Sequence, residues 1–368
     1  MFIHKILLKN FRNFSDSEFL FKNNLNFILG KNGAGKTSIL EAIHYLAFSK
    51  SFRTNSDNEA IKNESEYFQI FGDFTNTEKD YRVNLNYVKK EGKRIIINNA
   101  PLEKMKEIVG KFPVVSLSPD NEKITKGSPL ERRIFIDKIL SQSDHEYFEN
   151  LIKYNRSLKN RNRLLKQSKE QKKFIYDILF ESLDELLIQD AFKLVQKRKN
   201  FLKEYNTIFQ DEIKKVSHFN YHCQLKIKSK TPIDDENFYQ NYRNKLKEKI
   251  LKDIILSRTS YGPHLDNIDV YFDNKEIKKV ASQGEHKIVL IALKMAEGKY
   301  LQKKLNVTVI YLLDDLFALL DSDHCVRTID EISNDNQTIV TSTSLDHLEQ
   351  EKERLKNYDY GIIQLNGI

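Results

Sequence analysis

The spacing of hydrophobic positions changes twice along this chain of 368 residues. In the first hundred residues apolar side chains alternate with polar ones, as at Val83, Leu85 and Tyr87, which is typical of half-buried strands. From about residue 130 to 251 the pattern is mostly helical and rich in lysine, without strong Gly or Pro breaks. After Gly262 the alternation returns. This order predicts strands at both ends of the chain and helices between them.

The same order predicts an α/β fold in which both ends of the chain build one domain. We expect residues 1–115 and 259–368 to form that domain, and residues 116–258 to form a mainly helical insertion. A chain of 368 residues is longer than one compact core usually spans, so two structural lobes are expected. Because 40% of the residues are hydrophobic, they can bury a sizeable interior.

Composition and charge exclude several classes of protein. Two cysteines cannot build a disulfide scaffold or a four-ligand zinc site. No stretch of about 18 apolar residues occurs, so we expect no secretion, no membrane partner and a cytoplasmic location. The formal net charge of +8 permits a polyanionic partner such as nucleic acid without requiring one.

Residues 30–37 read GKNGAGKT and match the phosphate-binding pattern G-x-x-x-x-G-K-[ST]. The apolar run at 25–29 predicts a buried strand before this loop, and residues 38–46 predict a helix after it. Glycines let amide N–H groups converge on a phosphate, while Lys36 would bridge the β- and γ-phosphates of ATP and Thr37 would coordinate Mg²⁺. An incidental glycine turn is the alternative. The predicted nucleotide-binding residues of this segment are Gly30, Lys31, Asn32, Gly33, Ala34, Gly35, Lys36, Thr37 and Ser38.

A second motif near the other end of the chain would supply acids to the same site. The apolar run at residues 307–313 predicts a buried strand, and Asp314 and Asp315 follow it directly. In P-loop enzymes such acids hold Mg²⁺ and polarise the attacking water, so we assign Asp314 to the metal and Asp315 to the water. Together with Lys36 they are the predicted catalytic residues. Acids that merely open a surface loop are the alternative.

Polar residues beyond these acids are further candidates. Asp321 lies where it could touch an adjoining site. After the next predicted strand, the hydroxyl groups of Thr341, Ser342 and Thr343 would either sense the γ-phosphate or belong to a turn.

A further anion-binding turn is predicted at Ser282, Gln283, Gly284 and Glu285, directly before an apolar helix. Ser282 and Glu285 have the spacing of a capping box. By itself this segment needs no role beyond capping the helix. Combined with the two motifs above, it resembles the signature loop of an ABC-type ATPase.

Basic residues dominate the stretch 153–173, in which Glu170 is the one acid. The pattern predicts either a solvated helix face or a surface that contacts phosphates. The candidates for phosphate or DNA contact in this stretch are Lys153, Arg156, Arg161 and Arg163.

Four arginines and one histidine outside these motifs are further candidates. We expect Arg12 and Arg53 near the nucleotide; for Arg53, a contact with phosphate or DNA and a buried salt bridge are alternatives. We expect Arg132 and Arg133 to grip a carboxylate rather than to bind a ligand, and His264 to be a hydrogen-bonded loop residue.

With these motifs assembled, the chain resembles the RecF family of SMC/Rad50-like ABC ATPases over nearly its whole length. Residues 8–14 resemble the family's opening strand and turn, and residues 51–53 follow the first helix as they do in the family. The family's most distinctive segment is matched by residues 127–137, and its G-P-H-R-D element by residues 261–266. Departures from the family pattern occur at Thr125, Leu265, Glu285 and Leu319. As in RecF proteins generally, Thr343 stands at the place of the switch histidine of many ABC ATPases, which implies slow turnover.

The resemblance implies a P-loop ABC-type ATPase head of mixed β-sheets and helices, with an inserted, mainly helical second lobe and no long coiled coil. It implies ATP and Mg²⁺ as ligands. It also implies an ATP-dependent homodimer, in which Ser282 and Gly284 of one copy cap the nucleotide held by Lys36 of the other. The dimer would clamp double-stranded DNA near single-strand gaps and ss/dsDNA junctions, with weak DNA-stimulated ATP hydrolysis. With RecR and RecO, it would promote RecA loading in DNA repair and replication restart.

Two other functions stay open at this point. A nucleotide-gated protein scaffold would use ATP binding for assembly, and its partners would hold the DNA. An ABC transporter ATPase subunit is the other alternative; the missing switch histidine and the basic insertion argue against it.

Overall fold

The computed structural model describes residues 1–171, 178–217, 221–229, 231, 237–315, 322–344 and 359–365. Contacts divide the chain into two compact units. The first unit comprises Met1–Glu122, Asp211–Asn220 and Gln283–Ile368, and the second comprises Lys123–Gln210 and Tyr221–Ser282.

The strands are β1 (Phe2–Phe11), β2 (Phe14–Leu20), β3 (Leu25–Leu29), β4 (Tyr67–Thr75), β5 (Asp80–Val88), β6 (Gly92–Ile97), β7 (Ala100–Pro101), β8 (Val114–Leu117), β9 (Cys223–Lys228), β10 (Asn267–Phe272), β11 (Lys275–Glu276), β12 (Ile310–Leu313), β13 (Gln337–Ser342) and β14 (Tyr360–Gln364). The α-helices are α1 (Lys36–Phe48), α2 (Glu122–Lys126), α3 (Pro129–Ser143), α4 (His145–Gln171), α5 (Ile178–Val216), α6 (Phe238–Glu248), α7 (Ile250–Leu256), α8 (Ile277–Val280), α9 (Gln283–Leu305) and α10 (Ser322–Ser333). Short 3-10 helices lie at Asp57–Ala60, Met105–Ile108, Pro119–Asn121 and Pro263–Leu265.

A six-stranded antiparallel sheet in the first unit has the order β2–β1–β4–β5–β6–β7. Its strands bury every second side chain, as at Val83 and Leu85 in β5, because successive residues of a strand point to opposite faces. The alternation expected from the sequence is therefore present in the fold.

A five-stranded sheet in the same unit, with the order β14–β3–β13–β12–β8, is parallel throughout. Parallel strands bring their carboxyl ends to one edge of a sheet. The loop at 30–37 follows β3, Thr341 and Ser342 end β13, and Asp314 follows β12. The two motifs that are distant in sequence thus meet at this edge.

Helix α1 packs against strands of both sheets of the first unit. Its side chains are consequently apolar and buried over most of the helix, including Ile39, Leu40, Ile43 and Leu46. Glu41 is the one acidic residue of α1, and it is buried as well.

The second unit contains α3, α4, most of α5, α6 to α8 and the sheet β11–β10–β9. Leu165, Phe180 and Ile250 form an apolar cluster between helices of this unit. Buried ion pairs, described below, complete its interior.

The unit boundaries differ from the domain boundaries expected at residues 115–116 and 258–259. Residues 259–282 pack with the second unit, because β10 pairs with β9 in an antiparallel register from Asn267–Lys228 to Phe272–Cys223. Of the described residues, 211–217 pack with the first unit. Within the described ranges, none of the helices has the length and apolar character needed to cross a membrane.

Candidate nucleotide-binding site

The loop at residues 30–37 forms a tight turn between β3 and α1. Gly33 and Gly35 have φ values of 85° and 95°, a conformation that favours glycine. A Cβ atom at Gly35 would lie 2.7 Å from the Phe14 ring, so no side chain fits there. Lys36 Nζ donates to the carbonyl oxygens of Gly30 at 2.6 Å and Lys31 at 3.1 Å. The amine therefore lies across the loop whose amides would surround a phosphate.

Asp314 contacts the start of α1 across the edge of the parallel sheet. Thr37 Oγ1 donates to Asp314 Oδ1 at 3.0 Å, although the two residues are 277 positions apart. Thr341 Oγ1 donates to the same oxygen at 2.8 Å and accepts the Asp315 N–H at 2.9 Å. Asp315 itself has a left-handed backbone with φ of 52°. The Thr341 hydroxyl thus orients both acids, a role that the sequence did not suggest.

Burial raises the pKa of Asp314, and the neighbouring charge of Asp315 adds to this effect. The hydrogen bonds from Thr341 and Thr37 and the charge of Arg53 act in the opposite direction. A buried carboxylate with two hydroxyl donors is well suited to bind a cation, because a cation would offset the cost of its charge.

A cavity of about 350 Å³ opens in front of these groups. Its lining consists of residues of the first unit: Arg12, Asn13, Asn32, Gly33, Gly35, Lys36, Thr37, Ser38, Arg53, Asp314, Asp315 and Thr341. The structure therefore brings most of the predicted nucleotide-binding residues together with both predicted acids and both predicted arginines. Gly30, Lys31 and Ala34 shape the loop behind this lining.

The two arginines of the cavity share one buried carboxylate. Arg12 forms a bidentate pair with Glu41, and Arg53 Nη1 lies 3.5 Å from the same side chain. Arg53 thus combines the two alternatives posed by the sequence, since it lines the cavity and also contacts a buried acid. Glu41 was not among the site residues predicted from the sequence. It could have been noticed as a lone acid among the apolar residues that follow the phosphate-binding loop.

The residues expected to form the signature loop lie at the start of α9, which begins at Gln283. Ser282, Gln283 and Gly284 are exposed, and a Cβ atom at Gly284 would meet nothing within 4 Å. None of these residues, nor Glu285, is among the described residues that line the cavity. Leu319 and Asp321, two further residues named above, lie outside the described ranges.

In the second unit, the structure corrects the expectation for Arg161. Its side chain is fully buried, and it donates to Asp184 at 2.6 Å and to Asp253 at 2.9 Å. It cannot contact DNA from this position. Residues Tyr154, Ser157 and Leu165 are buried on the same side of α4, so the helical phase of these residues was the signal that could have placed Arg161 inside.

The other candidates of α4, Lys153, Arg156 and Arg163, have exposed side chains. Their spacing of three and seven residues puts them on one side of the helix. This face is available to a polyanion.

The remaining polar residues of the second unit form internal contacts. Arg132 pairs with Asp269 at 2.8 Å, and Arg133 donates to the Asp266 carbonyl at 2.6 Å. His264 Nδ1 accepts from the Tyr154 hydroxyl at 2.6 Å, and Nε2 donates to the Thr259 carbonyl at 3.1 Å. Burial lowers the pKa of His264 to about 4, so it is neutral near pH 7.

The chain belongs to the RecF/RecN/SMC N-terminal domain family, whose sequence model matches residues 2–361. Within it, the chain is similar to RecF proteins. It is 33% identical, over 93% of its length, to the DNA replication and repair protein RecF of Salinibacter ruber, 85% of which is covered. These matches confirm the resemblance to the RecF family.

Solved structures confirm the fold class. The structure of the recombination mediator protein RecF–ATP in the RecFOR pathway matches with a TM-score of 0.86 and 28% identity, covering 93% of this chain and 92% of that one. An SmcHead bound to the C-winged helix domain of ScpA matches with a TM-score of 0.55 and 19% identity, covering 95% and 91%, and shows likeness of fold alone. Among the described residues no long coiled coil is present, as expected.

Proposed function

We propose that the protein binds and hydrolyses ATP in the cavity of the first unit and acts on DNA as a recombination mediator. The observation that carries this proposal is the contact between Thr37 and Asp314, which unites the phosphate-binding loop and the acidic strand end at 3.0 Å. The solved relative with a TM-score of 0.86 is a RecF–ATP structure, which supports ATP as the nucleotide.

The donor atoms in the cavity fit a magnesium nucleotide. A hydroxyl oxygen of Thr37 and a carboxylate oxygen of Asp314 are the hard ligands that Mg²⁺ prefers, and they lie side by side. Bound there, the ion would neutralise phosphate charge. Lys36 would exchange the carbonyl oxygens of Gly30 and Lys31 for phosphate oxygens, because a charged partner makes the stronger hydrogen bond.

Asp315 is our candidate for orienting the attacking water. Its main-chain N–H is fixed by Thr341, which holds the left-handed backbone at this position. The side chain lines the cavity beside Asp314. We expect slow turnover, since Thr343 stands where many ABC ATPases carry a histidine. We further propose that DNA stimulates it, because the chain is similar to DNA replication and repair proteins.

We also propose that the protein forms a dimer through the exposed residues at the start of α9. Ser282, Gln283 and Gly284 present polar groups and an unhindered glycine at a helix N-terminus, and none of them lines the cavity of its own chain among the described residues. We propose that they cap the nucleotide of a second copy, together with Glu285. ATP would then stabilise the dimer by mass action.

DNA contact is proposed for the exposed basic face of α4, formed by Lys153, Arg156 and Arg163. Contacts of this kind go to phosphates, so they would tolerate any sequence and weaken with salt. The solved RecF is a mediator of the RecFOR pathway, so we propose RecR and RecO as partners and RecA loading next to gap junctions in double-stranded DNA as the outcome.

Sedimentation velocity with ATP, Mg²⁺ and duplex DNA tests this function. Wild-type protein should double its mass with ATP and sediment with DNA, whereas Lys36→Ala should stay unchanged by ATP. Asp315→Asn should remain as a dimer on DNA if hydrolysis releases the clamp. If Asp315→Asn leaves the DNA-bound fraction of dimer as in wild type, the nucleotide-gated scaffold would be favoured. Wild-type protein whose sedimentation changes with neither ATP nor DNA would contradict the proposal.

A further inference from the structure

The carboxylate of Glu41 lies behind the cavity and contacts both of its arginines. Arg12 Nε donates to Glu41 Oε2 at 2.9 Å, and Arg12 Nη2 donates to Oε1 at 2.6 Å. Arg53 Nη1 approaches Oε2 at 3.5 Å. The Glu41 side chain is 0% exposed, so its charge is offset by these partners rather than by water.

Arg12 is held firmly in this arrangement. Besides the two bonds to Glu41, its Nη1 donates to the Glu59 carbonyl at 2.6 Å. Its main chain is left-handed, with φ of 54°, and its N–H donates to the Ala60 carbonyl at 2.8 Å. A guanidinium has five N–H donors, and these contacts use three of them. The other two remain for an anion in the cavity that Arg12 lines.

Glu41 also fixes the loop that carries Arg53. The Ser51 hydroxyl donates to Glu41 Oε1 and accepts the main-chain N–H groups of Arg53 at 2.8 Å and Thr54 at 3.1 Å. The Arg53 side chain is 44% exposed, and among the described residues its one ion pair is the 3.5 Å contact with Glu41. The position of this loop therefore depends on the same carboxylate as the orientation of Arg12.

We propose that Glu41 is a positioning residue of the nucleotide site, which orients the Arg12 guanidinium toward the triphosphate and fixes the loop that carries Arg53. This inference rests on the proposed function. Without the two hydrogen bonds to Glu41, the Arg12 guanidinium would have no fixed orientation. Part of the free energy of its hydrogen bonds to phosphate would then offset the entropy lost on ordering the side chain.

The variant Glu41→Gln tests this role because it keeps the side-chain volume and replaces one acceptor oxygen with an amide donor. Its Kd for ATP with Mg²⁺, measured by isothermal titration calorimetry, should rise about tenfold, the loss expected for a misplaced charge-assisted contact. Glu91→Gln is the control, since it removes the same charge from an exposed turn of the first unit. Circular dichroism should show each variant folded at the temperature of the titration.

A double-mutant cycle separates positioning from a general structural effect. In a background that lacks both arginines, Arg12→Ala with Arg53→Ala, Glu41→Gln should change the ATP Kd less than about twofold, because the residues through which Glu41 acts are then absent. Full additivity, or wild-type affinity in folded Glu41→Gln, would overturn the inference. If Glu41→Gln does not fold, Glu41→Asp keeps the charge but withdraws it by one methylene, and wild-type affinity of that variant would overturn the inference equally. Wild-type protein that binds no ATP would overturn the proposed function as well.

Discussion

Arginines have opposite roles in the two units. In the first, Arg12 and Arg53 line an open cavity, and both contact the buried carboxylate of Glu41. In the second, Arg161 is fully enclosed by two acids, and Arg198 is buried between Asp137 and the carbonyl of Pro263.

The difference shows that an arginine at the edge of a cavity can bind a ligand, whereas an arginine enclosed by acids stabilises the fold. Arg12 lies at the cavity and keeps two N–H donors for a ligand. Arg161 is fully buried between two carboxylates, so its donors cannot reach a ligand. Arg161 and Arg163 illustrate this within one helix, because they are two residues apart and only Arg163 is exposed.

Replacing Arg161 should produce the largest effect. Arg161→Ala leaves Asp184 and Asp253 buried without their cation and should lower the free energy of unfolding by about 3–5 kcal/mol. Urea denaturation followed by circular dichroism measures this loss. Arg163→Ala is the matched control and should stay within about 0.5 kcal/mol of wild type. A loss below about 1 kcal/mol for Arg161→Ala would contradict its assignment as a structural ion pair.

Acid should weaken the second unit through His264. Its pKa is about 4 in the folded protein against an ordinary value of 6.5, so folding favours the neutral ring. The stabilisation is complete above pH 6.5 and is lost as the pH falls toward 4, by up to about 3 kcal/mol. Urea titrations between pH 7 and 4 measure the slope, which should decrease in His264→Gln. An unchanged slope in that variant would assign the acid sensitivity to other groups.

Removing the Thr341 hydroxyl should slow ATP hydrolysis in the first unit. In Thr341→Val, Asp314 loses one donor and the Asp315 N–H loses its acceptor, so kcat should fall about tenfold. Thr341→Ser keeps the hydroxyl and should retain most of the rate. Steady-state ATPase assays distinguish the two, and equal rates for Val and Ser would show that the hydroxyl does not orient the acids.

Arg163→Ala should have the smallest effect and should change DNA binding alone. Its Kd for duplex DNA should rise about threefold, and the slope of log K against log salt should decrease by about one, as expected for one lost phosphate contact. Fluorescence anisotropy over a range of salt concentrations measures both. An unchanged slope would place the DNA on another surface.

The phosphate-binding loop and the acidic strand end could be predicted from short segments of the sequence. The loop at 30–37, its flanking strand and helix, and the acids after β12 follow from residue spacing, and a parallel sheet explains why they meet. The burial of Arg161 depends on partners 23 and 92 residues away, which spacing alone does not identify. The pairing of β10 with β9 also depends on residues distant in sequence. Because of it, residues 259–282 belong to the second unit rather than to the first, which the sequence had predicted.

The candidate site was predicted less completely than the fold around it. Lys36, Thr37 and Asp314 belong to recognisable motifs, and the structure brings them together. Glu41 contacts other protein groups rather than a ligand, so no motif marks it. Thr341 was predicted only as a residue that senses the γ-phosphate or belongs to a turn, and its contacts with both acids were not predicted. Such residues become visible only when their hydrogen-bond partners are known.

The central place of β13 in the parallel sheet has a mechanical consequence. Since this strand lies between β3 and β12, it sets the distance between the phosphate-binding loop and the two acids. A slip of one residue would move the Thr341 side chain to the opposite face of the sheet. Insertions or deletions in β13 should therefore reduce ATP binding and hydrolysis far more than substitutions in β13 do, even when every residue of the phosphate-binding loop is unchanged.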